Sequence, residues 1–207
     1  VGTGSLLRRA LSRGTLFSLI LWGPPGTGKT TLARLLASAT GAHFEQMSAV
    51  RAGVVELRAV VKAAKERRGL YGQRTVLFVD EIHRWNKSQQ DSILPHVEDG
   101  TLTLIGATTE NPSFEVISAL LSRCRVYALR ALTQEEIVTL LRRGLAELKR
   151  DAGDQALDQI AVYARGDART ALHITDTAAN PPAIATHTRE ASLPPVPHSA
   201  EHADEEQ

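Results

Sequence analysis

Short apolar runs alternate with amphipathic stretches along the first two thirds of the chain. Leu19-Ile20-Leu21-Trp22 is a continuous apolar run that stops at Gly23, and residues 32–37 then repeat apolar positions at helical spacing. Thr40-Gly41 closes that helix in the usual way. Residues 42–47 read as a second strand. Val54, Leu57, Val61 and Ala64 share one face of a helix whose charged end, Lys65-Glu66-Arg67-Arg68, precedes Gly69. Residues 75–79 are apolar without alternation and rich in β-branched side chains, the mark of a strand buried on both faces. A helix over 88–97 follows, with Pro95 expected to kink or shorten it. A strand at 101–107, a helical turn at 118–122 and a last strand at 126–129 complete the pattern. It predicts an α/β core with a parallel sheet flanked by helices.

From Thr133 the periodicity becomes helical throughout. Thr133-Gln134-Glu135-Glu136 fits a capping box for a helix to about Lys149. Further helices are expected over 154–164 and from Gly166-Asp167-Ala168-Arg169 to about Ala178. The division that results is a core at 1–131, a small all-α lobe at 132–179 and a disordered tail at 180–207, which holds five of the nine prolines. At the other end Leu6, Leu7, Ala10 and Leu11 sit at helical spacing in a lead-in that looks incomplete. The chain opens with Val1 rather than Met, the expectation for a fragment.

Composition narrows the classes. With 207 residues, 43% of them hydrophobic, the chain can bury one good core and a small second lobe. A single cysteine, Cys124, excludes an internal disulfide and suits a reducing compartment. The apolar runs are far shorter than a membrane span, and no signal-peptide pattern opens the chain. Net charge is +1, but residues 1–150 carry 21 Lys/Arg against 13 Asp/Glu, a balance of +8, and residues 151–207 carry 3 against 10, a balance of −7. A basic body suits phosphate-bearing partners, nucleotide or nucleic acid; a solvated mixed-charge surface is the blander alternative.

Gly23, Gly28, Lys29 and Thr30 satisfy the phosphate-loop pattern G-x-x-x-x-G-K-[ST] between a strand and a helix. Glycines let backbone N–H groups curl around phosphates, the helix start adds its positive dipole end, Lys29 can reach the β- and γ-phosphates, and the Thr30 hydroxyl can ligate Mg²⁺. Asp80 and Glu81 follow the buried strand, and ligands of open α/β sheets lie beyond the carboxyl ends of strands. Asp80 is therefore the candidate Mg²⁺ partner, through water, and Glu81 the candidate base that orients the attacking water. Helix capping is the alternative for an isolated Asp-Glu pair. Asn111 can bond the attacking water or the γ-phosphate, or serve as a turn residue before Pro112.

These segments, with Phe78-Val79-Asp80-Glu81-Ile82-His83-Arg84, residues 105–115, Leu120-Leu121-Ser122-Arg123-Cys124-Arg125 and Gly166-Asp167-Ala168-Arg169, resemble an AAA+ ATPase of the clamp-loader clade. More narrowly the chain resembles the replication-associated recombination protein A family, whose eukaryotic relative is the Werner-helicase-interacting ATPase. The discriminating stretches are 80–90 and 95–115, and the likeness covers about residues 5–178. It implies a P-loop NTPase fold in which the small helical lobe is a lid. Gly23, Pro24, Pro25, Gly26, Thr27, Gly28, Lys29, Thr30 and Thr31 become Walker A, and Asp80 and Glu81 Walker B. Asn111 matches sensor 1, Arg123 an arginine finger given in trans to a neighbour's ATP, and Arg169 the sensor 2 arginine of the lid. Arg84, Asn86 and Lys87, just past Walker B, are the candidate DNA contacts, against a solvated loop as the alternative.

The implied activity is Mg²⁺-dependent, DNA-stimulated ATP hydrolysis in replication-fork maintenance, recombination and repair. Single-stranded or forked DNA, a single-stranded-DNA-binding protein and further copies of the chain are the implied partners, with no membrane. The implied location is the cytoplasm, with the nucleoid, in a bacterium and the nucleus in a eukaryote. A clamp-loader subunit and a nucleotide-binding scaffold without turnover are the alternatives. The chain departs from the family at Trp85, where Phe is usual and an aromatic replacement is expected to change little. It departs again at Thr170 and His173, where Arg and Asn are usual. No oligomerisation helices are recognisable after residue 178, so a truncated protein or a divergent tail is expected.

Overall fold

The computed structural model describes residues 14–180. The expected helix near Leu6–Leu11 lies outside them, as does the expected disordered tail apart from Asn180. Strands β1 (Leu19–Trp22), β2 (His43–Ser48), β3 (Thr75–Asp80), β4 (Leu102–Thr108) and β5 (Arg125–Ala128) form one sheet in the order β2-β3-β4-β1-β5. Every pairing in it is parallel. Helices α1 (Lys29–Ala39), α2 (Val54–Tyr71) and α3 (Lys87–Glu98) make the crossovers, and two single turns, α4 (Pro112–Glu115) and α5 (Ser118–Leu121), lead to β5.

The strand pattern places the core on both faces. Leu19 and Leu21 of β1 and Val76 and Phe78 of β3 pack with Ala33, Leu36 and Ala37 of α1. The alternate residues Ile20, Leu77 and Val79 pack with Leu57, Val61 and Ala64 of α2 and Ile93 of α3. Period-2 alternation within wholly apolar strands thus feeds two apolar layers, which is why these strands show no polar face. The edge strand β5 differs: Arg125, Val126 and Ala128 are exposed.

A second cluster is entirely helical. Helices α6 (Gln134–Glu147), α7 (Asp154–Ala164) and α8 (Ala168–Ala179) bury Ile137, Leu141, Leu145, Leu157, Ala161, Ala164 and Ala171 against one another. Thr133 caps α6, its side chain accepting from Glu136 N–H while the Glu136 carboxylate returns to Thr133 N–H. Among the described residues no helix is long and apolar enough to cross a membrane.

Three local expectations change. Helix α2 does not stop at Gly69 but continues to Tyr71, where Gly72 donates to the Arg68 carbonyl at 3.0 Å and ends it. Gly69 is exposed with open space around it, so it costs the helix some propensity without breaking it. Helix α3 spans Lys87–Glu98, so Pro95 does not shorten the helix expected over 88–97. A proline near the helix end forfeits one N–H, and its own carbonyl still accepts from Asp99 at 3.0 Å. Trp85 is more than an aromatic filler: it is 3% exposed and its indole N–H donates to the Ala52 carbonyl at 2.9 Å, a bond no Phe can make.

Gln90 ties these pieces together from within the core, at 1% exposure. Its amide nitrogen donates to the carbonyls of Trp85 (3.0 Å) and Glu115 (2.9 Å), and its oxygen accepts from Ile117 N–H at 2.9 Å. The residue thus spans the start of α3 and the segment joining α4 to α5. Replacing it by Leu strands three backbone groups, each costing about 1–3 kcal/mol when buried without a partner. Gln90→Leu is expected to lose about 3 kcal/mol or more of stability, read as a lowered midpoint in urea denaturation; an unchanged midpoint would show that the bridge does not matter.

Candidate nucleotide site

The sheet delivers three strand ends to one edge. Register pairs Leu19 with Ile105 and Trp22 with Thr108, while Thr75 pairs with Leu102 and Val79 with Gly106. Because the pairings are parallel, the residues after β1, β3 and β4 emerge side by side. A cleft of about 360 Å³ opens there. Pro25 through Thr31 line one wall, Asp80 and Glu81 a second, and Ala107, Thr108 and Thr109 the floor between them. Ala168, Arg169 and Leu172, from the start of α8, form the roof.

Local sequence explains the loop. Gly23 N–H donates to the Thr108 carbonyl at 3.1 Å, anchoring the loop's first residue to β4. Gly28, in the left-handed region at φ 83°, caps α1, and its carbonyl accepts from Leu32 at 2.8 Å. The Lys29 ammonium donates to the Gly23 and Pro24 carbonyls, each at 2.7 Å. Burial lowers the Lys29 pKa; the neighbouring Asp80 acts against that, Arg169 adds to it and Asp167 opposes it. Two cations, Lys29 and Arg169, therefore share the cleft and raise each other's cost, a situation that a polyanion relieves.

The α8 lobe is seated directly on the loop. Ala168 N–H donates to the Gly26 carbonyl at 3.1 Å. Asp167 caps α8, accepting from Arg169 N–H at 2.8 Å and Thr170 N–H at 3.0 Å. Gly26 has φ 68°, and a Cβ built on it would lie 1.8 Å from Asp167 Oδ1 and 2.9 Å from Asp167 Cα. Only glycine fits between loop and helix.

Glu81 stands at φ 54°, a left-handed conformation unusual for a residue with a side chain. It separates the end of β3 from a 3₁₀ turn, Ile82–Arg84. That geometry leaves the Glu81 side chain exposed on the cleft wall, whereas Asp80 is half-buried. The donor set suits a triphosphate with a hard divalent cation. Among the described residues no three or more His, Cys, Asp or Glu side chains group as a metal cage. A cation such as Mg²⁺, which takes one or two protein oxygens and completes its shell with water and phosphate, matches the Thr30 hydroxyl and the Asp80 carboxylate.

Not every expected residue reaches this cleft. Asn111 does not line it; its side chain accepts from Ser113 N–H at 3.0 Å and caps α4. Thr108 and Thr109 occupy the β4 end instead. The strand-end rule that singled out Asp80 and Glu81 applies equally to this Thr-Thr pair and would have found it. Asp167 and Leu172 were also missed, because their place depends on how the helical lobe is seated.

Arg123 lies at the opposite edge of the sheet, beside Phe17, Ser18 and Leu102, which precede or begin their strands. The seven residues of β4 separate it from the cleft by roughly 20 Å. There it pairs with Glu98 at 2.5 Å and donates to the Ala119 carbonyl at 2.8 Å and the Ser122 hydroxyl at 3.0 Å. Arg84 and Lys87 are exposed outside the cleft, and the Asn86 side chain is engaged as the α3 cap, accepting from Gln89 N–H at 2.9 Å. Cys124 is half-buried against the core, and burial pushes its thiol up to about 12. A larger open groove of about 1060 Å³ runs along α7 past Val162, Tyr163, Asp167 and Thr170, but it holds neither the loop nor the strand-end carboxylates.

Residues 19–131 match the family described as "ATPase family associated with various cellular activities (AAA)". Over 180 residues the chain is 51% identical to replication-associated recombination protein A of Haemophilus influenzae, covering 84% of this chain and 40% of that one. Over 187 residues it is 50% identical to the protein of the same name from Escherichia coli strain K12, covering 87% of this chain and 42% of that one. The chain thus spans about two fifths of the length of these curated relatives. A solved structure of the Thermotoga maritima RuvB Holliday junction branch migration motor superposes with a TM-score of 0.68 at 33% identity, covering 82% of this chain and 57% of that one.

The seat of α8 on the loop can be tested without nucleotide. Gly26→Ala is expected to lift the start of α8, seen as faster amide hydrogen exchange at Ala168 while Ala171 in the helical core stays protected. Unchanged protection at Ala168 would contradict the contact.

Proposed function

The chain belongs to the AAA family of ATPases, and from that premise we propose that it binds Mg²⁺-ATP in the strand-end cleft and hydrolyses it. One observation carries the reading: the phosphate loop, two cations and two carboxylates converge on a single cleft. Lys29 would exchange its two carbonyl partners for β- and γ-phosphate oxygens, and the loop N–H groups would take the rest of the polyphosphate. Thr30 and Asp80 would hold the Mg²⁺, which supplies charge neutralisation on the phosphates. Glu81 accepts a hydrogen bond from the attacking water and orients it. Thr109, exposed in the cleft, is better placed than Asn111 to bond that water or the γ-phosphate. Arg169 reaches the γ-phosphate from above and makes the helical lobe sense whether a triphosphate is present.

Arg123 enters this scheme only through a second copy. Its distance from its own cleft leaves a neighbour's ATP as the phosphate it can serve, and in general arginine fingers are worth about 10³–10⁵ in rate. An isolated copy would then bind ATP and turn it over slowly, which is the form the scaffold reading takes here. DNA as the substrate acted upon, and a single-stranded-DNA-binding protein as partner, rest on similarity to proteins named for replication-associated recombination. The basic balance of residues 1–150 and the exposed Arg84 and Lys87 are compatible with phosphate contacts.

Phosphate release, measured with and without forked DNA, tests the reading. Glu81→Gln is expected to bind ATP normally and to lose about 10²–10⁴ in turnover; normal turnover would remove Glu81 as the base. Arg123→Ala is expected to lose activity and to regain it on mixing with Glu81→Gln chains, which retain an intact Arg123. Absence of rescue would exclude action in trans.

A further inference from the structure

Glu81 is held in a backbone conformation that its own residue type disfavours, so neighbouring contacts must hold it there. Two contacts pin the turn that follows it. Ile82, fully buried, lies over β4, where Gly106 makes room: a Cβ on Gly106 would come within 3.0 Å of Ile82 Cδ1 and 2.7 Å of Ile20 Cδ1. His83, half-buried, reaches from the same turn to the end of β4, its Nδ1 3.1 Å from the Thr108 hydroxyl. Thr108 is 1% exposed and also joins Glu110, contacting its carbonyl at 3.1 Å and accepting from its N–H at 3.0 Å. Between Thr108 and Glu110 sits Thr109, whose side chain lines the cleft.

The proton inventory fixes the direction of these bonds. A hydroxyl donates one hydrogen bond and accepts two. The Glu110 N–H must donate to Thr108 Oγ1, and the Glu110 carbonyl can only accept the one hydroxyl proton. All three contacts are therefore satisfied together only when His83 carries its proton on Nδ1 and donates it to Thr108.

We propose that His83 is a positioning residue: through Thr108 it locks the Glu81 turn to the end of β4 and so fixes Glu81 and Thr109 relative to each other across the cleft. The assignment rests on the ATPase reading above. His83 need touch neither nucleotide nor water. Its effect is on orientation, which acts on turnover rather than on ground-state binding, because the polyphosphate is held by the loop, Lys29 and Arg169. Asn presents an N–H near the place of the His Nδ1–H and can replace it; Ala cannot.

The test uses the full chain with Mg²⁺-ATP, comparing His83→Ala, His83→Asn, Thr108→Val and the Ala/Val double variant by turnover, ATP affinity and thermal midpoint. His83→Ala and Thr108→Val are expected to lose about tenfold or more in turnover, the size of effect that small misplacements produce, with ATP affinity unchanged. His83→Asn is expected to recover most of the loss. The double variant should be no slower than the slower single one, as for two residues that share one interaction. Turnover of His83→Ala at the wild-type rate overturns the proposal, as does an Asn variant as slow as the Ala variant. Loss of ATP affinity in step with turnover also overturns it. A second readout needs no turnover: nitrogen chemical shifts of the nucleotide-free chain at mildly alkaline pH should show the Nδ1–H tautomer of His83, and the Nε2–H tautomer would contradict the bond. If the wild-type chain releases no phosphate from Mg²⁺-ATP, the ATPase reading fails and the positioning role falls with it, while the tautomer still reports whether the bond exists.

Discussion

Parallel pairing of β1, β4 and β3 is the interaction on which the rest of this molecule depends. A parallel ladder puts every carboxyl end at the same edge, so whatever follows these strands in sequence becomes neighbours in space. Residues 23–31, 80–81 and 108–109 are far apart along the chain and meet only for this reason. The ladder holds because strands buried on both faces lose all their apolar surface to the two helical layers. Ile20, Leu77 and Ile105 are each fully buried. Were β1 to pair antiparallel with β4, the loop and Thr109 would stand at opposite edges and no cleft would form.

The cleft that results is electrostatically incomplete by itself. Lys29 and Arg169 repel each other there, and the Lys29 ammonium is occupied by two loop carbonyls that phosphate oxygens can replace. The helical lobe is held on the loop by one backbone hydrogen bond and by the Gly26–Asp167 contact, so a change in the loop is passed directly to the start of α8. Arg123 marks the other limit. Held at the amino-terminal edge by Glu98, Ala119 and Ser122, it lies away from its own cleft.

Much of the fold was legible because it follows from repeated local rules. Unbroken apolar runs marked β1 and β3, and spacing at Val54, Leu57, Val61 and Ala64 marked the inner face of α2, of which Leu57, Val61 and Ala64 are buried. The end of α2 was less legible, since Gly69 removes only a little from a helix that packing maintains. The loop and the Asp-Glu pair stood out because phosphate and cation chemistry demand rare residue types in fixed order. What the sequence hid depended on tertiary placement. Asn111 reads as a turn residue or a ligand until its place at the start of α4 is seen. Thr109, Asp167, Gln90 and the His83–Thr108 bond are ordinary residues whose meaning comes from what lies opposite them.

The most direct measurement is to map Mg²⁺-ATP onto the chain by backbone amide chemical shifts. The largest changes are expected at Gly26–Thr31, Asp80, Glu81, Thr109, Ala168 and Arg169, with little change at the Val162–Tyr163 groove or around Arg123. Shifts confined to that groove, or none at saturating nucleotide, would contradict the assignment of the strand-end cleft as the nucleotide site.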